Sequence, residues 1–298
     1  MLLNAPAITV GRVGVWAWSF VTAPAVAARQ AAQAIEDLGY GAIWFPETVA
    51  RETFSASSML LEATGEITVA TGISNIWARD AVAMSAGAQA LGEAHPGRFL
   101  LGLGVSHPAS VANRGGAYRP ALTAMREYLT AMEEAPYQGP SPEVPVPVVL
   151  GALGPRMLSL AGDRTTGAHP YFVPVDHTRI AREALGTAKL LAPEQAVVVE
   201  DDPARARAIA RVYTTRYLGL PNYLKNLRRM GWGDAELSDG GSDRLVDALV
   251  AWGSPETIAE RVSEHFAAGA DHVSIQVLTD DGGFALPELE VLAPHLLG

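Results

Sequence analysis

The sequence predicts a β/α barrel. Eight strand-like runs alternate with helical patterns along the 298 residues, and this alternation closes as parallel strands wrapped by helices. A second observation is the decapeptide His95-Pro96-Gly97-Arg98-Phe99-Leu100-Leu101-Gly102-Leu103-Gly104. It ends a helical stretch, turns at Pro-Gly, runs as a short apolar strand and stops on two glycines. Glycine at the carboxyl end of a parallel strand lets backbone come close to a bound group. Third, polar side chains recur just after the strand-like runs. A barrel gathers such positions at one mouth, whereas other folds scatter them.

Each element has its own signal. Val13 to Ala17 reads as the first strand. Pro24 opens a helix whose Ala27, Ala31, Ala34, Ile35 and Leu38 share one face, and Gly39 stops it. Ala42 to Pro46 is the second strand and Thr68 to Ile73 the third; a helix from Ala81 to Glu93 leads into the fourth, Phe99 to Leu103. Pro120 starts a helix carrying Leu122, Met125, Leu129 and Met132 at spacings of three and four. The proline-rich stretch from Pro136 to Pro147 is a loop, because the alternation resumes at once with Val148 to Leu150. Pro155 begins a short helix, Gly167 to Phe172 is the sixth strand and Ala196 to Val199 the seventh. A helix runs from Pro203 to about Leu218. Ser254-Pro255-Glu256 is a helix start of N-cap, first-turn proline and acidic residue. His272 to Leu278 is the eighth strand, with Val273, Ile275 and Val277 alternating against Ser274 and Gln276. The competing open nucleotide-binding sheet needs Gly-x-Gly-x-x-Gly after its first strand. Here Gly102-Leu103-Gly104 follows the fourth, and His107 stands where the third glycine belongs. We read 1–298 as a single domain, with 219–252 as an insertion of the kind that forms a lid or an oligomer contact.

Bulk properties narrow the function. The chain lacks cysteine, which excludes disulfides, thiolate metal sites and cysteine nucleophiles. A net charge of −10 argues against nucleic acid and anionic membranes as partners. No apolar run approaches a membrane span, and no basic segment with an apolar run and cleavage site opens the chain, so a cytoplasmic protein is expected. Gly-x-Ser-x-Gly, the phosphate loop ending in Gly-Lys-Ser/Thr and His-Glu-x-x-His are all missing. No metal is expected.

What remains is the ring of groups at strand ends. Trp16 and Trp18 close the first strand, and Glu47 and Thr48 follow the second. Ser74, Asn75, Trp77 and Arg79 follow the third, Ser106 and His107 the fourth, and Gly151-Ala152-Leu153-Gly154-Pro155-Arg156 the fifth. His169 and Tyr171 belong to the sixth and Gln276 to the eighth. Each has a plainer reading: a loop cap for Glu47, a surface loop for His107, packing for the tryptophans. The Gly151–Arg156 stretch is either an ordinary turn or an anion site, since glycines before a helix N-terminus leave N–H groups facing outward. Arg205, Arg207, Arg211 and Arg216 read as a solvated helix face.

The residues also carry a family resemblance. Gly39-Tyr40-Gly41-Ala42-Ile43-Trp44, Thr71-Gly72-Ile73, Pro96-Gly97-Arg98-Phe99 through Gly104, Arg119-Pro120 with Met125-Arg126-Glu127, and Gly154-Pro155-Arg156-Met157-Leu158 with Ala161-Gly162 resemble, in order and spacing, the luciferase-like monooxygenase superfamily. The branch they resemble is that of coenzyme F420-dependent oxidoreductases. The resemblance implies a deazaflavin at the carboxyl face and a non-proline cis peptide at Gly72–Ile73 behind its ring. It also implies a phosphate-bearing tail running past Gly151, Gly154 and Arg156. Many relatives carry Asp-His after the second strand; here the pair is Glu47-Thr48, which loses the histidine. His107 falls near a glutamate of relatives that take sugar phosphates, so such a substrate is not expected.

The expected activity is hydride transfer between F420 and a small carbonyl, alcohol or activated alkene. Its cofactor contacts would be Glu47, Gly72, Ile73, Ser74, Asn75, Gly104, Ser106, Gly151, Ala152, Gly154 and Arg156. Trp16, Trp18, Trp77 and Tyr171 would line the substrate pocket. His107, His169 and Glu47 are the catalytic candidates. The alternatives are an FMN-dependent monooxygenase and a barrel that binds a ligand without turnover. A homodimer is expected from the family.

Overall fold

The computed structural model describes residues 10–298; the expectation about the start of the chain lies outside them. Among the described residues, eleven strands form one parallel sheet. They are β1 (Val13–Trp16), β2 (Ala42–Phe45), β3 (Thr68–Thr71), β4 (Ser74–Asn75), β5 (Phe99–Gly104), β6 (Val148–Leu150), β7 (Gly167–Ala168), β8 (Leu190–Leu191), β9 (Glu194–Val198), β10 (Val250–Trp252) and β11 (Val273–Val277). The order is β10-β9-β11-β1-β2-β3-β5-β6-β7-β8, with β4 beside β5. β8 and β9 are consecutive pieces of one extended run. Its first part bonds β7 through Leu190 N to Thr166 O and Ala192 N to Ala168 O, and its second part pairs with β11. The sheet thereby closes on itself as the expected barrel.

Two apolar layers hold it. Val13, Val15, Ile43, Phe45, Val69, Phe99, Leu101 and Ile275 face outward into the cluster under the helices. Trp16, Ala42, Trp44, Ala70, Leu100, Val149, Leu190 and Ala192 fill the interior. The two faces follow from the alternation of side chains along each strand. The interior also takes polar rings. Trp44 Nε1 donates to His272 Nε2 at 3.0 Å, and His272 Nδ1 donates to Gly11 O at 2.9 Å, so both nitrogens of this buried imidazole are satisfied.

Departures from the sequence reading have local causes. The third strand ends at Thr71, and the Gly72–Ile73 peptide that separates it from β4 is cis. The sixth stops at Ala168: Pro170 has no N–H to give, and Phe172 takes a positive φ of 58°. The 219–252 stretch holds helices Pro221–Arg229, Asp234–Leu237 and Asp243–Leu249, but it also supplies β10 to the sheet. With the helix Pro203–Leu218 it forms a separate apolar cluster that includes Phe172, Tyr213, Tyr217, Tyr223 and Leu227. Among the described residues, no helix is long and apolar enough to cross a membrane.

Candidate active site at the carboxyl mouth

On one side of the mouth the chain builds a rigid bulge. Gly72 N donates to Phe45 O at 2.7 Å and Glu47 N to Ile73 O at 3.1 Å, tying the cis peptide to the end of β2. The Glu47 side chain then accepts from Asn75 N at 2.6 Å and from both terminal nitrogens of Arg79. Arg79 also reaches Glu52 at 2.6 Å. The ion pair is 12% and 3% exposed at its two ends, so it is held away from water. Asn75 Oδ1 accepts from Trp77 N at 3.0 Å, and Trp77 Nε1 donates to Val105 O at 2.8 Å.

The glycines opposite make room for this bulge. A Cβ on Gly104 would run into Ile73 Cδ1 and Cγ1, and one on Gly151 would come 3.3 Å from Ile73 Cγ2. One on Gly102 would strike Thr71 O and come 3.3 Å from Ile73 Cγ2. The Ile73 side chain therefore occupies the space that three glycines vacate, and the Gly72–Ile73 peptide is left partly exposed at the mouth.

The other side is aromatic. The Trp16 ring lies 5.8 Å from Trp18 and 5.0 Å from Tyr171. Tyr171 donates to Gln276 Oε1 at 2.7 Å, and its hydroxyl meets that of Tyr217 at 2.8 Å. His169 is 1% exposed and stacks on Trp44 at 4.4 Å. Its Nδ1 donates to Ala192 O at 2.7 Å. Burial pushes its pKa down to about 4, so the ring is neutral. Trp16 Nε1 and His169 Nε2 have no partner. Both point at Gly72, lying 2.7 and 3.0 Å from where a Cβ would stand.

The rim joins the loop after β5 to the insertion. His107 stands at the N-cap of the helix Pro108–Ala112, and its ring lies 5.8 Å from the Tyr223 ring. Burial lowers its pKa. Ser106 beside it has a φ of 55°. Gly154 caps the helix Pro155–Arg164 without a side-chain partner for the free N–H groups. The Arg229 guanidinium, held by Asn226 at 2.9 Å, comes 3.5 Å from the Cβ position of Gly154. Arg156 is exposed on the first turn. A helix N-terminus flanked by two guanidiniums suits an anion.

The family model for luciferase-like monooxygenases matches residues 12–272. The chain belongs to this family. It is 24% identical to a 5,10-methylenetetrahydromethanopterin reductase of Methanolobus tindarius, over 81% of this chain and 87% of that one. Its fold is similar to that of an F420-dependent secondary alcohol dehydrogenase, with a TM-score of 0.76, 13% identity, and 96% and 98% of the two chains covered. It is also similar to an FMN-bound Baeyer-Villiger monooxygenase, the oxygenating constituent of 3,6-diketocamphane monooxygenase from Pseudomonas putida. There the TM-score is 0.73 at 16% identity, with 97% and 99% covered.

In this luciferase-like barrel the residues singled out from sequence separate into groups. Trp16, Trp18, His169 and Tyr171 converge on the inner wall. Gly72, Ile73, Ser74 and Asn75 make the bulge with Gly104 and Gly151 against it, Ala152 is buried in the outer cluster, and Ser106, His107, Gly154 and Arg156 form the rim. Trp77 is not with the other tryptophans. Its indole is drawn to Val105 O and packs with the outer cluster and with Tyr118, ring to ring at 6.1 Å. Glu47 is committed to Arg79 and Asn75, so it braces the bulge and is not a free base. Sequence reasoning missed Glu194, Tyr213, Tyr217, Tyr223 and Arg229. Tyr213 and Tyr217 share a helix face four residues apart, a signal obscured by the arginines on the same helix.

Proposed function

We propose that the protein transfers hydride between coenzyme F420 and a small organic substrate bearing a carbonyl, an alcohol or an activated alkene. The observation that carries this reading is the bulge. The Gly72–Ile73 peptide is partly exposed at the mouth, braced from behind by Glu47 and Arg79, with the Ile73 side chain tucked into the space left by Gly102, Gly104 and Gly151. Such a surface fits a planar tricyclic ring. The anion-fitted end formed by Gly154, Arg156 and Arg229 suits a phosphate-bearing tail.

When bound there, the deazaflavin supplies the hydride chemistry, and the protein supplies orientation and exclusion of water. The ring would be held by the Gly72–Ile73 peptide, Ser74 and Asn75, and the tail by Gly151, Ala152, Gly154, Arg156 and Arg229, with Gly104 and Ser106 alongside. Trp16, Trp18 and Tyr171 give the substrate an apolar wall. The insertion, which meets the loop after β5 where the His107 and Tyr223 rings lie 5.8 Å apart, would serve as a lid. Of the two histidines, His169 is poorly suited to proton transfer. Its one N–H is given to Ala192 O and its ring stays neutral down to about pH 4. His107 reaches the rim.

The likeness to the secondary alcohol dehydrogenase supports F420, and the likeness to the FMN-bound oxygenase favours a second reading, an FMN monooxygenase. Titrating the protein with each cofactor separates them. Quenching of F420 fluorescence, with reduced F420 then oxidised by a ketone or enone, is the expected result. Tight binding of FMN with no response to F420 would reject it.

A further inference from the structure

The four arginines of the helix Pro203–Leu218 do not serve one purpose. Arg205 pairs with Glu200 at 3.2 Å, Arg207 with Asp247 at 2.6 Å, and Arg211 with Asp243. These three tie the helix to the turn before it and to the helix Asp243–Leu249. Arg216, near the other end, has no carboxylate partner among the described residues. Its guanidinium instead lies over the Trp18 ring, 5.6 Å from the ring centre, and the residue is exposed. Trp18 is partly exposed and lies 5.8 Å from Trp16. Tyr217, next in the helix, meets the Tyr171 hydroxyl at 2.8 Å. Arg216 therefore stands at the edge of the aromatic wall.

The acids around that wall do not answer its charge. Glu194 opens β9 behind the tyrosines and is buried. It accepts from Phe172 N at 3.2 Å and meets the Tyr213 hydroxyl at 3.2 and 3.1 Å from its two oxygens. Burial without a cation raises its pKa to about 8, so it carries no charge at neutral pH. Glu200 is taken by Arg205, and across the mouth Glu47 and Glu52 are taken by Arg79. Ser19 donates to Gly282 O and Gly283 O, which brings the loop after β11 beside the start of the helix that follows Trp18. In that loop Asp281 accepts from Thr279 at 2.7 Å and from Gly283 N at 3.0 Å, and neither it nor Asp280 pairs with Arg216. A guanidinium resting on an indole is partly fixed before any ligand arrives, and its N–H fork stays free at the edge. That fork takes a carboxylate through two parallel hydrogen bonds. The Gly154 end, with two guanidiniums and a helix N-terminus, suits phosphate; one guanidinium matches the single charge of a carboxylate.

We propose that the substrate is a carboxylic acid whose carboxylate is held by Arg216 on the Trp18 face. Its apolar body would lie along Trp16 and Tyr171, with its carbonyl, alcohol or activated alkene toward the bulge. This rests on the hydride-transfer reading and narrows it to keto acids, hydroxy acids and unsaturated acids. Arg216 is a binding residue and moves no proton. Its hold on a carboxylate remote from the reacting carbon is the same in ground and transition states, so its loss falls on KM and not on kcat.

Two arms test the assignment. The first titrates the cofactor-free protein calorimetrically with phenylpropanoate and with phenylpropanamide. The acid should bind about tenfold tighter or more, the worth of a hydrogen-bonded charge pair. Arg216→Gln should remove the preference, and Arg211→Gln, which deletes a paired arginine of the same helix, should keep it. A wild type without the preference, or a preference that survives Arg216→Gln or disappears in Arg211→Gln, overturns the proposal. The second arm follows oxidation of reduced F420 by keto acids and unsaturated acids beside their methyl esters. The wild type should favour the acids. Arg216→Gln should raise KM for the acids about tenfold or more at unchanged kcat and leave the esters unmoved. Arg216→Lys, which keeps the charge without the fork, should recover part of the loss. Esters used as well as acids by the wild type overturn the proposal. So does weaker F420 quenching in Arg216→Gln at an unchanged acid-to-ester ratio, which assigns the guanidinium to acidic groups of the cofactor. A wild-type protein that turns over neither set sinks the hydride-transfer reading instead, and the calorimetry still decides the carboxylate seat.

Discussion

Replacing Glu194 by Gln should change how stability depends on pH, by an amount that the structure fixes. The folded carboxyl holds its proton up to about pH 8, because it is buried without a cation. In the unfolded chain it titrates near 4.5. The folded state therefore binds more protons between these values. The stability this group contributes is fully present below pH 4.5 and is lost as pH rises through 8. Between pH 6 and pH 9 the loss comes to about 2.5 kcal/mol, from a limiting slope of about 1.4 kcal/mol per pH unit. The buried histidines work the other way. His169 and His272 are depressed to about 4 and His265 to about 3, so their stability is lost as pH falls below 6.5. The wild-type profile is thus a near-cancellation, and only a comparison isolates Glu194. Gln keeps an oxygen for Tyr213 and Phe172 N but has no charge to bury. Urea denaturation at pH 6, 7, 8 and 9 should show the variant gaining about 2.5 kcal/mol on the wild type from one end of the range to the other. Parallel profiles would refute the argument, because they would mean that Glu194 is ionised throughout or meets a cation.

Two further predictions concern the bulge. Gly104→Ala drives a Cβ into Ile73 and should cost about 1–3 kcal/mol by overpacking. Adding Ile73→Ala should recover part of that Tm loss, and an unchanged Tm in the single variant would show that the glycine serves some other purpose. Glu47→Gln leaves Arg79 with Glu52 as its only carboxylate and should cost about 3 kcal/mol, the low end for a broken buried pair. It should also weaken F420 binding in a fluorescence titration, as the seat loosens. Wild-type stability in this variant would mean that the bulge does not depend on the pair.

Much of the mouth was legible because strand ends announce themselves locally. Alternation, Pro-Gly turns and capping signals put the carboxyl ends at Ala17, Leu103 and Leu150, within one residue of the observed Trp16, Gly104 and Leu150, and a barrel has only one place to send them. The glycines were correctly located but differently employed. From the sequence they invite a ligand, whereas in the fold Ile73 fills the space in front of them. Gly72 and Ile73 are adjacent in the chain, but the glycines whose space Ile73 fills come from β5 and from the end of β6, and no spacing encodes that contact.

Periodicity and chain connectivity in the sequence suffice for the barrel and for the strand ends that meet at its carboxyl face. Tertiary structure alone decided which polar groups are already committed and which are kept waiting. Glu47, an open candidate in the sequence, is spent on Arg79. Glu194, inconspicuous one residue after Pro193, becomes a carboxyl sealed among tyrosines from a helix and from the sixth-strand loop. The physical reason is that proton affinity depends on desolvation and on the nearest charges. Both are properties of what folds around a residue, and neither is written beside it in the chain.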